Sequence, residues 1–296
     1  MKLSYKKGYG SQYGKMHPHY IEDCPSWRIP GTSWFLQGFS EAGNRTGFLL
    51  KGLPRLIALD AGLNTYKTPK IVLITHSHTD HVQSLPAILT HDVVVCGPRT
   101  AMQPVQDYVD AYTALEDGDA SKRTRFVSPC GLKDLDDVDI RMLPCSHGER
   151  DCIAYVFCVK KKQLRDRYRS LPQRELACLA REGVVICDEY TARPLMFMGD
   201  THEKVLQCLS SPIGCIVIEC THLWEKDRTG DHACWENGLD RIVASMPTTT
   251  FVLIHWSRRY NDAEIWNYFM NLPKRPKNVV LWPREVGNGP VDFSLL

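Results

Sequence analysis

Between residues 76 and 81 the chain reads His76-Ser77-His78-Thr79-Asp80-His81. The apolar run Ile71-Val72-Leu73-Ile74 comes just before it and reads as a short buried strand. Two histidines at i and i+2 can aim ring nitrogens at one ion, and the Asp and His that follow can turn toward a second. Imidazole and carboxylate donors suit zinc and its neighbours, and the loop has no cysteine of the kind a structural thiolate site uses. Each ion needs three or four ligands. The chain is therefore expected to fold so that further donors from distant segments meet this loop.

A length of 296 residues suits one large domain or two small ones. The net charge of +2 provides no whole-molecule field to hold nucleic acid, so any such contact must come from a local patch. Residues 1–30 lack the apolar core of a signal peptide, and no apolar stretch reaches transmembrane length. The expectation is a protein that is not secreted, cytoplasmic or nuclear, with no membrane partner. The 12 cysteines include no CxxC pair, and most lie in apolar runs, as at Cys96, Cys158, Cys187 and Cys215. That usage fits small buried hydrophobes in a reducing compartment. Cys145 lies two residues before His147 and is read as a strand residue rather than a ligand.

Residues 1–32, which include His17 and His19, read as an irregular arm. Residues 33–296 read as a single domain. Strands are expected at Thr46–Leu50, Leu56–Asp60, Val93–Cys96, Ile140–Leu143, Ile153–Val159, Val184–Cys187, Leu195–Met198, Ile216–Ile218 and Thr250–Ile254. Helices are expected at Ala101–Leu115, Ala233–Ser245 and Ala263–Met270, with a polar turn at Glu116–Ala120. Strand clusters alternate with helices twice, which fits an α/β architecture: a four-layer αβ/βα sandwich of two mixed β-sheets covered by helices. Three more donors sit at strand ends: His147 after Ile140–Leu143, Asp200 in Met198-Gly199-Asp200-Thr201, and His255 after Phe251-Val252-Leu253-Ile254. Loops at one rim of a pair of sheets would bring them together.

This order of donors, HxHxDH and then His, Asp and His, resembles the metallo-β-lactamase superfamily from about Ser33 to the C-terminus. His255-Trp256-Ser257-Arg258-Arg259-Tyr260 is similar to the HFSxRY-type segment of ribonuclease Z, the tRNA 3′-processing endonuclease. Met198–Thr201 and Glu219-Cys220-Thr221 resemble that family's GDT and EAT-like motifs, and His232-Ala233-Cys234 its helix-opening His-Ser/Ala-Thr segment. The resemblance implies two Zn²⁺ ions, with Mn or Fe also suited to the donors. His76, His78 and His147 would hold one ion, Asp80, His81 and His255 the other, and Asp200 would bridge them. Asp60 would orient a ligand imidazole from behind. It further implies a metal-dependent phosphodiesterase that cleaves the 3′ trailer of precursor tRNA. Asp80 would handle the water and His232 would donate a proton to the leaving oxygen. Arg258 and Arg259 would contact phosphate. Family members often pair as homodimers.

Two family segments are incomplete here: Gly31-Thr32-Ser33 is a poor match to the opening turn, and Gly62-Leu63-Asn64-Thr65 keeps part of a second motif. The family's tRNA-gripping arm is replaced by a short insertion near residues 160–175 without a Gly-Pro tip. Lys160–Arg169 is nonetheless the densest basic run in the chain, and Lys161, Arg165 and Arg167 are candidate RNA contacts beside Tyr168. The alternatives are a solvated, helix-prone surface segment and a hydrolase of this fold acting on a small cyclic phosphodiester or thioester. A non-catalytic RNA-binding relative is disfavoured by the complete ligand set.

Overall fold

A computed structural model describes residues 17–89, 93–116, 125–127, 138–148, 150–285 and 288–296. The first 16 residues of the expected arm and most of the expected turn at 116–120 lie outside these. The first sheet is made of β1 (Ser26–Arg28), β2 (Phe35–Glu41), β3 (Arg45–Lys51), β4 (Ile57–Leu59), β5 (Ile71–Leu73), β6 (Val94–Cys96) and β7 (Arg125–Val127), side by side in chain order. Strands β1 to β4 pair antiparallel and β4 to β7 parallel. Parallel neighbours need crossovers: α1 (Thr79–Val82) and α2 (Leu85–Ile88) lie between β5 and β6, α3 (Arg99–Leu115) between β6 and β7, and residues 60–70 link β4 to β5 without a helix.

The second sheet repeats the plan with β8 (Val138–His147), β9 (Arg150–Leu164), β10 (Cys187–Phe197), β11 (Cys215–Glu219), β12 (Thr250–Ile254), β13 (Val279–Leu281) and β14 (Val291–Asp292). Its helices are α4 (Gln173–Arg181), α5 (Asp240–Ser245) and α6 (Asp262–Met270).

Side chains of a strand alternate between its faces, so each central strand serves two cores. Phe48, Leu50, Leu59 and Leu73 meet Tyr155, Phe157, Phe197 and Val252 between the sheets. On the outer face of the first sheet, Leu49, Ala58, Val72 and Val95 pack with Ile88, Met102, Val105 and Val109 of the helices. On the outer face of the second, Val156, Ile216, Ile218 and Leu253 pack with Ile242, Val243, Ile265 and Phe269. The result is the four-layer αβ/βα sandwich. Phe48 ties the layers, its ring set edge-on to Phe197 and Trp282 at centroid distances of 5.8 and 5.3 Å. No helix among the described residues is long and apolar enough to cross a membrane.

Four local expectations change. Ser26–Arg28, inside the expected irregular arm, pairs with Phe35–Gln37 and extends the first sheet. The expected helix over 233–245 is regular only from Asp240, because Asn237 sits at φ 61° and Glu236 at ψ 129°. The expected strand at 184–187 is irregular up to Ile186; Cys187 opens β10, which runs on through Leu195–Phe197 of the second expected strand. Finally, the basic run is mostly strand, with one 3-10 turn at Asp166–Tyr168. Lys160–Leu164 prolong β9 and pair with Cys187–Thr191 of β10, so the excursion runs from Lys160 to Thr191, with α4 between its strands. Both strand ends are largely exposed there, and α4 buries none of its residues.

Candidate metal centre

The parallel strands deliver the site. Asp60 follows β4, His76 follows β5 by three residues, Asp200 follows β10, and Glu219 and His255 close β11 and β12. Ligands collect outside the carboxyl ends of such strands because chain leaving there is free of the ladder. Two glycines allow close approach. A Cβ on Gly62 would collide with the carbonyl of Asp80, so this residue lets the loop after β4 lie against α1; one on Gly199 would collide with the Thr75 side chain, so that residue lets the two sheets' rims meet. His255 itself holds φ at 61°, a left-handed conformation that costs about 1–3 kcal/mol outside glycine and turns its ring into the cleft.

The seven expected ligands converge. Nε2 of His76 lies 2.9 Å from Nδ1 of His78, which is 3.4 Å from Nε2 of His147. Asp80 Oδ2 lies 3.7 Å from His81 Nε2 and 3.5 Å from His255 Nε2. Asp200 stands between the two clusters and divides its oxygens. Its Oδ2 is 3.8 Å from His76 Nε2 and 3.9 Å from His147 Nε2. Its Oδ1 is 3.2 Å from His81 Nε2 and 3.3 Å from His255 Nε2. The donors fall into sets that could each hold an ion: His76, His78, His147 and Asp200 in one, Asp80, His81 and His255 in another.

The donor chemistry fits metal on a specific observation. His81 Nε2, His255 Nε2 and Asp200 Oδ1 are buried, point at each other and make no hydrogen bond. An unsatisfied buried polar atom costs about 1–3 kcal/mol, so three in one spot call for a cation. The electrostatics agree. Burial, the neighbouring His81 and the other imidazoles hold His76 well below its usual range. Burial and nearby positive groups also lower His78, and burial lowers His147. Neutral imidazoles are the metal-binding form. Burial alone would raise the Asp200 carboxyl, but His255, His81 and His76 outweigh it and hold it well down. Asp80 is lowered in the same way, burial being overcome by the neighbouring His255 and His81 imidazoles. For His81 the burial effect is reversed by Asp200 and Asp60, which pull it well up. The cleft thus demands positive charge.

Groups behind the donors fix their rings. Asp60 Oδ2 lies 2.8 Å from His81 Nδ1, and Asp60 also accepts from the backbone N–H of Thr75 at 2.8 Å. Asp60 is fully buried, and burial pushes its carboxyl up despite His81. Thr75 Oγ1 is 3.1 Å from His76 Nδ1, and Thr221 Oγ1 is 3.1 Å from His255 Nδ1.

His232 joins the cluster from the loop before α5. Its Nδ1 lies 3.0 Å from Glu219 Oε2 and 4.0 Å from Asp200 Oδ2. Burial would lower this imidazole, but Glu219, Asp200 and Asp80 raise it to about 9.

With this geometry in view, two solved structures are instructive. A structure described as a new diphosphatase of the PhnP family aligns at a TM-score of 0.51 and 11% identity, covering 84% of this chain and 84% of that one. The metallo-β-lactamase fold protein YhfI from Bacillus subtilis aligns at 0.50 and 13% identity, over 83% of this chain and 95% of that one. The fold is that of the metallo-β-lactamases. No family model matches the sequence. In sequence, the chain is similar to the protein named tRNase Z TRZ2, chloroplastic, from Arabidopsis thaliana, at 21% identity over 264 residues, 82% of this chain and 73% of the relative.

Around this metallo-β-lactamase fold the remaining expected residues are dispersed. Arg258 and Arg259 are exposed on the turn after His255, and Arg259 donates to the Asp227 carbonyl at 3.3 Å. Lys161, Arg165 and Arg167 lie on the β9–β10 excursion. Arg165 is paired with Asp188 at 2.8 Å, Arg167 stacks over Tyr168, and Lys161 is exposed with no ion pair among the described residues. His17 Nδ1 lies 3.4 Å from Glu41 Oε2 and His19 Nδ1 3.0 Å from an Arg45 guanidinium nitrogen, and neither is in the donor sets.

Several supporting residues were not foreseen. The sequence marks Glu219 only as part of a motif, although a carboxylate closing an apolar run is a signal in itself. Arg284 carries no sequence signal. It is buried, ion-pairs Glu41 at 3.3 Å, and donates to the carbonyls of Ser257 and Tyr260, clamping the turn that follows His255. Glu203 binds Arg228 through both oxygens, at 3.0 and 2.9 Å, and accepts from the Cys234 N–H, anchoring the loop that carries His232.

Proposed function

We propose that this chain is a dinuclear metal-dependent hydrolase of phosphodiesters, an endoribonuclease of the ribonuclease Z type acting on the 3′ trailer of precursor tRNA. In the roles proposed, His76, His78 and His147 hold one ion, Asp80, His81 and His255 the other, and Asp200 bridges. Zn²⁺ suits this nitrogen-rich set best. Bound there, the ions would supply Lewis-acid stabilisation of charge at phosphorus and a water made acidic near neutral pH.

The chain's own groups complete the chemistry. Asp80, held anionic by its histidine neighbours, orients the attacking water and can take its proton. His232 presents Nδ1 to Glu219, which leaves Nε2 to hand a proton to the departing oxygen. Its raised affinity for protons keeps it charged near neutral pH.

The observation that carries the reading is the Glu219–His232 pair beside Asp200, a proton donor set at the edge of a two-cluster donor site. RNA as substrate is supported by the likeness to the plant tRNase Z and by the cations of the β9–β10 excursion. The excursion is proposed to meet RNA through Lys160, Lys161 and Arg167, which ion-pair with no carboxylate among the described residues, and to stack a base on Tyr168.

The test is cleavage of a 3′-extended precursor tRNA by the zinc-loaded protein, with Asp80→Ala as control. One cut near the discriminator base, absent in the variant, is expected. Intact RNA together with metal-dependent hydrolysis of bis(p-nitrophenyl) phosphate would instead indicate a small phosphodiester as substrate.

A further inference from the structure

Strands β8 and β9 form a hairpin whose register sets Cys145 directly opposite Cys152. Residues 145 and 147 share a face of β8, so the cysteine pair lies on the same side of the ribbon as His147. Cys145 Sγ donates to the Leu143 carbonyl at 3.8 Å, and Cys152 Sγ donates to the backbone carbonyl of Asp200 at 3.1 Å. Cys152 is buried and Cys145 half-buried. Neither thiol belongs to the donor set or to the proton transfers described above.

We propose that Cys145 and Cys152 are a redox-responsive pair that closes into a cross-strand disulfide and thereby loosens the metal centre. The second half rests on the metal reading above; the first does not. Opposed residues of an antiparallel pair lie about 4.5–5.5 Å apart at Cα, inside the range of roughly 4.4–6.8 Å that a disulfide spans. A bond made between ladder-locked strands carries strain, and strained disulfides are the readily reduced, regulatory kind.

Hydrogen peroxide is the oxidant class. The Cys145 sulfur, the more accessible, attacks one peroxide oxygen. The O–O bond breaks, Cys145 becomes a sulfenic acid, and the departing hydroxide takes the thiol proton as water. The Cys152 sulfur then attacks the Cys145 sulfur. The S–S bond forms, the S–O bond breaks, and the second hydroxide leaves as water with the Cys152 proton. Two thiols and one peroxide give one disulfide and two waters.

The disulfide removes the only S–H of Cys152, and the Asp200 carbonyl loses its donor. Asp200 turns one carboxylate oxygen toward each donor cluster, and His147 lies two residues beyond Cys145 on the same strand. Loss of outer support around a metal site weakens metal binding by about 10–100-fold, and a loss of that size is expected here.

The experiment treats zinc-loaded protein with hydrogen peroxide, maps disulfides by peptide mass after alkylation, and measures zinc affinity by chelator competition. A Cys145–Cys152 crosslink is expected, with zinc affinity reduced about 10–100-fold. Dithiothreitol should reverse both, and Cys145→Ser should abolish both. Thiols that alkylate or oxidise separately would overturn the proposal, and a crosslink with unchanged zinc affinity would overturn the coupling. A protein holding no zinc before treatment would contradict the metal reading instead, and the crosslink would still decide the thiol pair.

Discussion

Glu219 Oε2 stands 3.0 Å from His232 Nδ1, joining the end of β11 to the loop before α5. Glu219 is fully buried and also accepts from the Thr221 hydroxyl and the Thr201 N–H, so the carboxylate cannot swing away. A proton donor held this firmly should matter to turnover and not to metal binding. His232→Ala is expected to lower kcat by about 10²–10⁴-fold at unchanged metal content, by steady-state kinetics and elemental analysis of the same preparation. Loss of metal in that variant would make His232 a ligand.

The same pair sets a pH dependence in the metal-free protein. His232 is raised to about 9 in the fold, against about 6.5 in an unfolded chain. A raised imidazole contributes stability that is complete below the unfolded value and is lost as pH rises through the folded one. The stability difference between wild type and His232→Asn should therefore be constant below about pH 6 and shrink to its floor above about pH 9. Urea denaturation across that range measures it, and a difference that grows with pH would contradict the assignment.

Asp60 tests the support behind the ligands. Asp60→Asn keeps the shape but weakens the acceptor that orients His81. Metal affinity should fall by about 10–100-fold in chelator competition, with the fold intact by circular dichroism. Unchanged affinity would leave Asp60 a purely structural residue.

For the β9–β10 excursion, replacing Lys160, Lys161 and Arg167 together by alanine should raise KM for precursor tRNA. The slope of log affinity against log salt should become shallower by about two to three. Turnover of bis(p-nitrophenyl) phosphate should stay the same, since the excursion is separate from the donor clusters. An equal loss on both substrates would point to damage at the metal centre.

How much of this was legible in the sequence follows from how local each signal was. His76, His147, Asp200 and His255 each end or closely follow an apolar run that forms a strand, so strand ends could be read and the rim inferred. Lys160–Leu164 could not be read as strand, because the partner residues lie beyond an intervening helix, at Cys187–Thr191. The break at Asn237 hid inside a helical pattern, where a single left-handed residue leaves the apolar spacing intact. Arg284 meets Glu41 across 243 positions, and no periodicity marks such a contact.

The shared position of Asp200 is the centre of the account, and metal stoichiometry tests it most directly. Elemental analysis of the purified protein, reconstituted with zinc and desalted, should give about two ions per chain, as a two-cluster site requires. Asp200→Ala should lose both, while His232→Ala should keep both. No bound metal in the wild-type protein, or unchanged content in Asp200→Ala, would contradict it.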